Sequence, residues 1–146
     1  MTDESVLRFG TQDNFVEISA VVERDPSLQS HGDVRLSIGV QSYGFSGCNA
    51  LWVDRHVLRM FAGQLAKLER SLAGEAKLNS MSPGELELTV RSVSPLGHIA
   101  VMGSTAHRFK ADSGSYLHSV SFGFEIESAQ LLAALGNSWL SEYVKP

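Results

Sequence analysis

The sequence predicts an α+β domain: a single curved antiparallel β-sheet of about seven strands with two helices on its apolar side, in the order βββ-α-ββββ-α. Three observations point there. Period-two alternation of apolar and polar residues recurs in many short segments, as half-buried strands require. Three- and four-residue apolar spacing, the mark of an amphipathic helix, occurs only twice. The connections between segments are short turns, so the two βαβ crossovers of a doubly wound sheet are absent and pairing should be mostly antiparallel. At 146 residues the chain has the length of one domain, and no linker, internal repeat or low-complexity stretch divides it.

A short strand at Val6 to Phe9 opens the chain. The next alternates through Val16, Ile18, Ala20 and Val22 against Glu17, Ser19 and Glu23. A turn-rich stretch, Asp25-Pro26-Ser27 to His31-Gly32-Asp33, leads to Val34, Leu36, Ile38 and Val40, which should pair with the preceding strand as a hairpin. After Tyr43-Gly44-Phe45-Ser46-Gly47 the period changes. Val57, Leu58, Phe61, Leu65, Leu68 and Leu72 form one helical stripe, with Asp54 as N-cap and Gly74 as the left-handed residue that ends a helix over 54–73. Strands resume at Ala76 and Leu78, then, past the Pro83-Gly84 turn, at Leu86, Leu88 and Val90. Beyond Ser94-Pro95 comes a strand at Ile99 and Val101, which continues or restarts toward Phe109. Val120, Phe122, Phe124 and Ile126 follow the turn at Asp112-Ser113-Gly114-Ser115. Leu131, Leu132, Leu135, Trp139 and Tyr143 share the stripe of a last helix capped by Ser128.

Hydrophobic residues make up 43% and charged residues 19%, an ordinary globular mix. Sixteen acids against twelve Lys and Arg give a formal charge of −4, which argues against a general nucleic-acid binder, because neutralising phosphates needs a basic surface. A single cysteine, Cys48, cannot form an internal disulfide, so a reducing compartment fits. The first residues, Met-Thr-Asp-Glu-Ser, are acidic and polar where a secretion signal is basic and apolar, and no apolar run is long enough for a membrane helix. The expectation is a soluble cytoplasmic protein.

The catalytic inventory is thin. Gly44-Phe45-Ser46-Gly47-Cys48 occupies a strand-to-helix position where a hydrolase nucleophile would stand, but glycine must follow the serine by two residues and Cys48 holds that place. A tight turn with Ser46 bonding locally accounts for the same residues. Cys48 as a nucleophile needs a nearby cation that the sequence does not locate. His98, His107 and His118 fall on neighbouring strands of the second half, yet without the tight spacing of zinc ligands. Glu85 and Glu87 share one strand face, as solvated positions alternating with Leu86 and Leu88 do. No catalytic residue, metal or cofactor is therefore assigned, and the chain is not expected to be an enzyme. The exposed aromatics at the junction before the first helix, Tyr43, Phe45 and Trp52, are the candidate partner-binding residues.

Gly44-Phe45-Ser46-Gly47, Trp52-Val53, the Phe61/Leu65/Leu68 helix, Gly84-Glu85-Leu86-Glu87-Leu88 and Gly97-His98-Ile99 follow one another in an order that resembles small bacterial proteins grouped with WapI-type immunity proteins. The resemblance spans roughly residues 34–132. It implies neutralisation of a cognate toxin domain by binding, without chemistry by the immunity protein, and the −4 charge would favour encounter with a basic toxin. The alternative is a small-molecule-binding or enzymatic domain whose pocket, in the sheet concavity, uses Ser46, His98 or His118.

Overall fold

A computed structural model describes residues 5–144, so Met1 to Glu4 of the acidic N-terminus lie outside the described residues. Alternation does produce antiparallel strands, but eight of them in two sheets. The first sheet is the meander β1 (Leu7–Gly10), β2 (Phe15–Val22), β3 (Val34–Ser42) and β4 (Phe45–Val53). Helix α1 (Arg55–Ser71) then leads to a second meander, β5 (Glu75–Asn79), β6 (Leu86–Ser92), β7 (His98–Ala111) and β8 (Gly114–Glu127). Two short helices close the chain, α2 (Ser128–Leu135) and α3 (Ser141–Val144).

The expected single sheet of seven strands is thus corrected, and the reason is β4. Its inward positions carry Val53 and Leu51 near the helix but Asn49, Gly47 and Phe45 toward the turn, so the sequence shows no alternation over its first half. A two-residue Tyr43-Gly44 turn joins it to β3, with Ser42 opposite Phe45. Both turn residues have positive φ, 50° and 89°, as a type I′ hairpin turn demands. With β4 in place, α1 starts at an edge strand, and the chain begins a new sheet after that helix.

Helix α1 forms as its stripe predicts. Leu58, Phe61, Ala62, Leu65 and Leu68 are all at most 1% exposed, and the Asp54 carboxylate accepts from the His56 N–H at 2.7 Å. The left-handed residue that ends it is Leu72 (φ 52°), earlier than the expected Gly74, and its N–H reaches the Leu68 carbonyl. Ser128 is the first residue of α2 rather than its cap; Glu127 stands at the cap without a side-chain bond. The C-terminal stripe also breaks. Leu131 is buried and Leu132 is 62% exposed, and the helix stops before Gly136, so Trp139 and Tyr143 arrive on a separate turn.

One core serves both sheets. The inward residues of β1 to β4, those of β5 to β8, the α1 stripe, Leu131 and Leu140 form a single buried cluster. The two sheets meet by few polar links. The Trp52 carbonyl accepts from the Met81 N–H at 2.9 Å. The Asn49 amide bridges the remaining gap: its Nδ2 donates to the Ala106 carbonyl at 2.9 Å and to the Thr105 hydroxyl at 3.0 Å, while its Oδ1 accepts from the Ala50 N–H at 2.9 Å. Next along β4, Gly47 passes so close to Val120 that an added Cβ would stand 3.0 Å from a Val120 methyl. Asn49→Ala should lower stability by about 1–3 kcal/mol, because the partly buried carbonyl of Ala106 loses its donor. Urea denaturation of the two proteins measures this, and an unchanged midpoint would show that the bridge is dispensable.

Candidate functional site

The large exposed aromatic residues gather on two hairpins. The β3–β4 turn presents Tyr43 and Phe45, 74% and 71% exposed. Tyr43 is held rather than loose: its N–H donates to the Asn14 side chain at 2.7 Å, in a left-handed conformation that costs a non-glycine residue about 1–2 kcal/mol. It walls a shallow basin of about 570 Å³ with Thr11, Asn14, Met102 and Glu125. Trp52, the third expected contact, does not join them. It is half-buried opposite Arg35 at the far end of β4, roughly 23 Å away at the usual strand rise.

The second hairpin is longer than its sheet. Strand β6 pairs with β7 only over residues 99–105, whereas β7 and β8 stay paired to Ala111 and Gly114. Residues 106–119 therefore run on as a two-stranded ribbon. On the face continuous with the core, His107 stands opposite His118 and Phe109 opposite Tyr116. On the other face Arg108 stands opposite Leu117 and Lys110 opposite Ser115. Phe109, Tyr116 and Leu117 are each more than half exposed. The ribbon holds Arg108 and Lys110 against Asp112 alone, a charge of +1 that leaves −5 on the rest of the chain.

These placements settle where the candidate side chains sit. His107 and His118 meet, while His98 lies at the other end of β7, 3.8 Å from the Glu127 carboxylate. A cleft of about 120 Å³ between β4 and the ribbon is lined by Ser46, Cys48, Asn49, His107 and His118. That is well below the volume of an ordinary ligand pocket, roughly 300–1,000 Å³. Ser46 lies inside β4, not at a strand-to-helix elbow, and Cys48 alternates with Asn49 to the outer face beside Gly39. Glu87 is exposed on β6, but Glu85 precedes that strand, its carbonyl accepting from Thr105 and Ala106. Among the described residues no group of three or more His, Cys, Asp or Glu is placed to hold a metal ion, and no helix is long and apolar enough to cross a membrane.

A larger depression, about 710 Å³, opens at the C-terminal end between Val22, Arg24, Arg59, Trp139 and Tyr143. Trp139 turns a buried indole N–H toward no hydrogen-bond partner among the described residues. Burial raises the Tyr143 hydroxyl above its ordinary pKa, and Arg59 and Arg24 oppose the shift.

The chain matches no family model, no curated protein and no solved structure. Sequence reasoning missed Phe109, Tyr116 and Leu117, although one signal was there: aromatic residues alternate at equal distances on either side of Asp112-Ser113, as they would on one face of a hairpin.

Two measurements test the geometry. Tyr43→Asn creates the Asn-Gly pair that type I′ turns favour and should raise thermal stability by about 1 kcal/mol, showing that the tyrosine is not kept for the fold. A lowered melting temperature would place Tyr43 among the structural residues instead. Above pH 10 the unfolded chain ionises Tyr143 more readily than the folded one, so it binds fewer protons and stability falls as pH rises. The fall should be shallower in Tyr143→Phe, read from denaturation midpoints between pH 9 and pH 11; equal slopes would refute the burial.

Proposed function

We propose that the chain is a non-catalytic protein-binding domain, an immunity-like protein that neutralises a cognate bacterial toxin domain by occupying it, with the β7–β8 ribbon and the Tyr43–Phe45 turn as contact surface. One observation carries the reading. The ribbon spends paired strand on side chains that add nothing to the core, and an aromatic group left in water forgoes about 1.5–3 kcal/mol of burial that a partner can supply. Aromatic and arginine side chains also dominate binding hot spots. The resemblance to WapI-type immunity proteins supports the same reading, and the acidic body would steer a basic toxin toward contact.

The test is co-expression with the toxin-like product encoded beside this chain in its own genome. The full chain should co-purify with it and protect the cell. A variant in which residues 108–117 are replaced by an Asn-Gly turn, so that the paired His107 and His118 flank it, should keep its folded spectrum and lose both properties. Absence of binding and protection by the full chain would end the immunity reading. Equal protection by the shortened variant would move the contact surface elsewhere.

A second reading, a small-molecule-binding domain, has one observation in its favour: the unpartnered Trp139 indole N–H beside Arg24 and Arg59 in the C-terminal depression. Native mass spectrometry decides it. An anionic compound that co-purifies with the full chain and is lost in Arg59→Ser supports it, and a spectrum at the bare chain mass does not.

A further inference from the structure

Two four-stranded sheets have four edges, and on three of them outward backbone groups are engaged in part by side chains or by a neighbouring segment. On β1 the Gly10 N–H donates to the Gln130 side chain of α2 at 2.8 Å. On β5 the Lys77 N–H donates to Gln64 of α1 at 3.0 Å. On β4 the Trp52 carbonyl takes the Met81 N–H, and the Ala50 N–H is taken by Asn49. The fourth edge, β8, is covered only at its root, where the Ser42 hydroxyl bonds both the N–H and the carbonyl of Gly123 at 3.3 and 3.4 Å.

That contact fixes the direction of the rest. Gly123 turns its backbone away from β7, and pairing from Gly114 to Glu127 runs without a bulge, so Ser115, Leu117, Ser119 and Ser121 turn theirs the same way. No strand among the described residues receives them. Natural edges of this kind are blunted by charge, proline or a bulge. Residues 114–121, Gly-Ser-Tyr-Leu-His-Ser-Val-Ser, have none of the three.

We propose that this edge pairs with the same edge of a second copy, antiparallel about a two-fold axis at His118, joining the two β7–β8 ribbons into one four-stranded sheet. The order of the segment is self-complementary, as an isologous contact requires. Ser115 falls opposite Ser121 of the second copy, Leu117 opposite Ser119, and Tyr116 opposite Val120, an aromatic and β-branched pair of the stabilising kind. His118 faces its own counterpart. The segment carries no formal charge, so self-pairing places no like charges across the seam, while the cations Arg108 and Lys110 stay one strand back on β7. Pairing stops where Ser42 already holds Gly123, which brings the second copy's ribbon tip against exposed Tyr43 and Phe45.

The exposed parts of Tyr43, Phe45 and Tyr116 amount to roughly 300–400 Å² of the roughly 800 Å² that each side of a firm interface buries, so the dimer should be of micromolar strength. Sedimentation equilibrium of the purified chain from about 1 to 300 µM covers that range. A monomer–dimer equilibrium is expected, weakened tenfold or more by Ser119→Pro, which removes an outward N–H, and by His118→Lys, which sets two cations face to face on the axis. Both positions lie outside the core, so circular dichroism should report the same folded spectrum. Hydrogen exchange gives a second readout, with the Leu117 and Ser119 amides becoming protected as concentration rises. A chain monomeric at the highest concentration, an association indifferent to both substitutions, or open-ended oligomers would overturn the proposal. A monomer whose Leu117 and Ser119 amides are protected only by an added toxin chain would assign the edge to that partner instead.

Discussion

The apolar stripe of α1 is what the rest of the structure depends on. A four-stranded meander with one apolar face cannot leave that face in water. Here two such faces share one core, and the helix that connects them fills part of it with Leu58, Phe61, Leu65 and Leu68. Because α1 follows directly on β4 and packs against β5, it fixes where the first sheet ends and the second begins. The edge of β4 is thereby brought to β7 and β8, and the Asn49 bridge and the Gly47 approach to Val120 become possible. Asn49 and Gly47 are small or polar at inward positions for that reason: the space they would fill in an ordinary strand is taken by the other sheet.

The element order has a regularity that the residues do not. Four antiparallel strands and a helix occur twice, β1 to β4 with α1 and β5 to β8 with α2. The two halves differ most in their last hairpin. Strands β3 and β4 have 9 residues each and close on a two-residue turn, whereas β7 and β8 have 14 each and close on a turn of the same length. The extra length lies wholly beyond the core, and the first hairpin shows that the architecture closes without it. A two-stranded ribbon is marginal by itself in water. It holds its shape because its root is fixed by β6 on one side and by Ser42 and Gly47 on the other.

Strands such as β3, β5 and β6 were legible because burial alternates along them, and the first helix because its apolar stripe is buried. Val34, Leu36, Ile38 and Val40 point inward and Arg35 and Ser37 outward, and nothing else competes for that reading. Strand β4 was not legible, because its inward Gly47 and Asn49 are explained by contacts with residues more than thirty positions away. The same blindness split the candidate site. Tyr43, Phe45 and Trp52 are close in sequence, yet a strand carries Trp52 away from the other two. His107 and His118, eleven positions apart, are brought face to face by a turn whose residues were visible but whose register was not.

Charge and shape divide the labour of recognition on this surface. A charge of −5 over the body acts at long range, within the Debye length of about 10 Å at ordinary ionic strength, and sets which partners approach. The ribbon acts only on contact, through aromatic rings and free backbone groups that diffuse attraction cannot orient. Its own cations, Arg108 and Lys110, face away from the imidazoles and from Tyr116, so one face of the ribbon is polar and basic while the other is aromatic and nearly neutral. Such a two-sided ribbon can be held along its edge by one neighbour and still present a face to another. Strand addition uses backbone groups in the plane of the sheet, and side-chain recognition uses the surfaces above and below it. Association between copies takes the β8 edge and covers Tyr43, Phe45 and Tyr116, so capture of a different protein through those rings competes with it, whereas capture on the face of Arg108 and Lys110 does not.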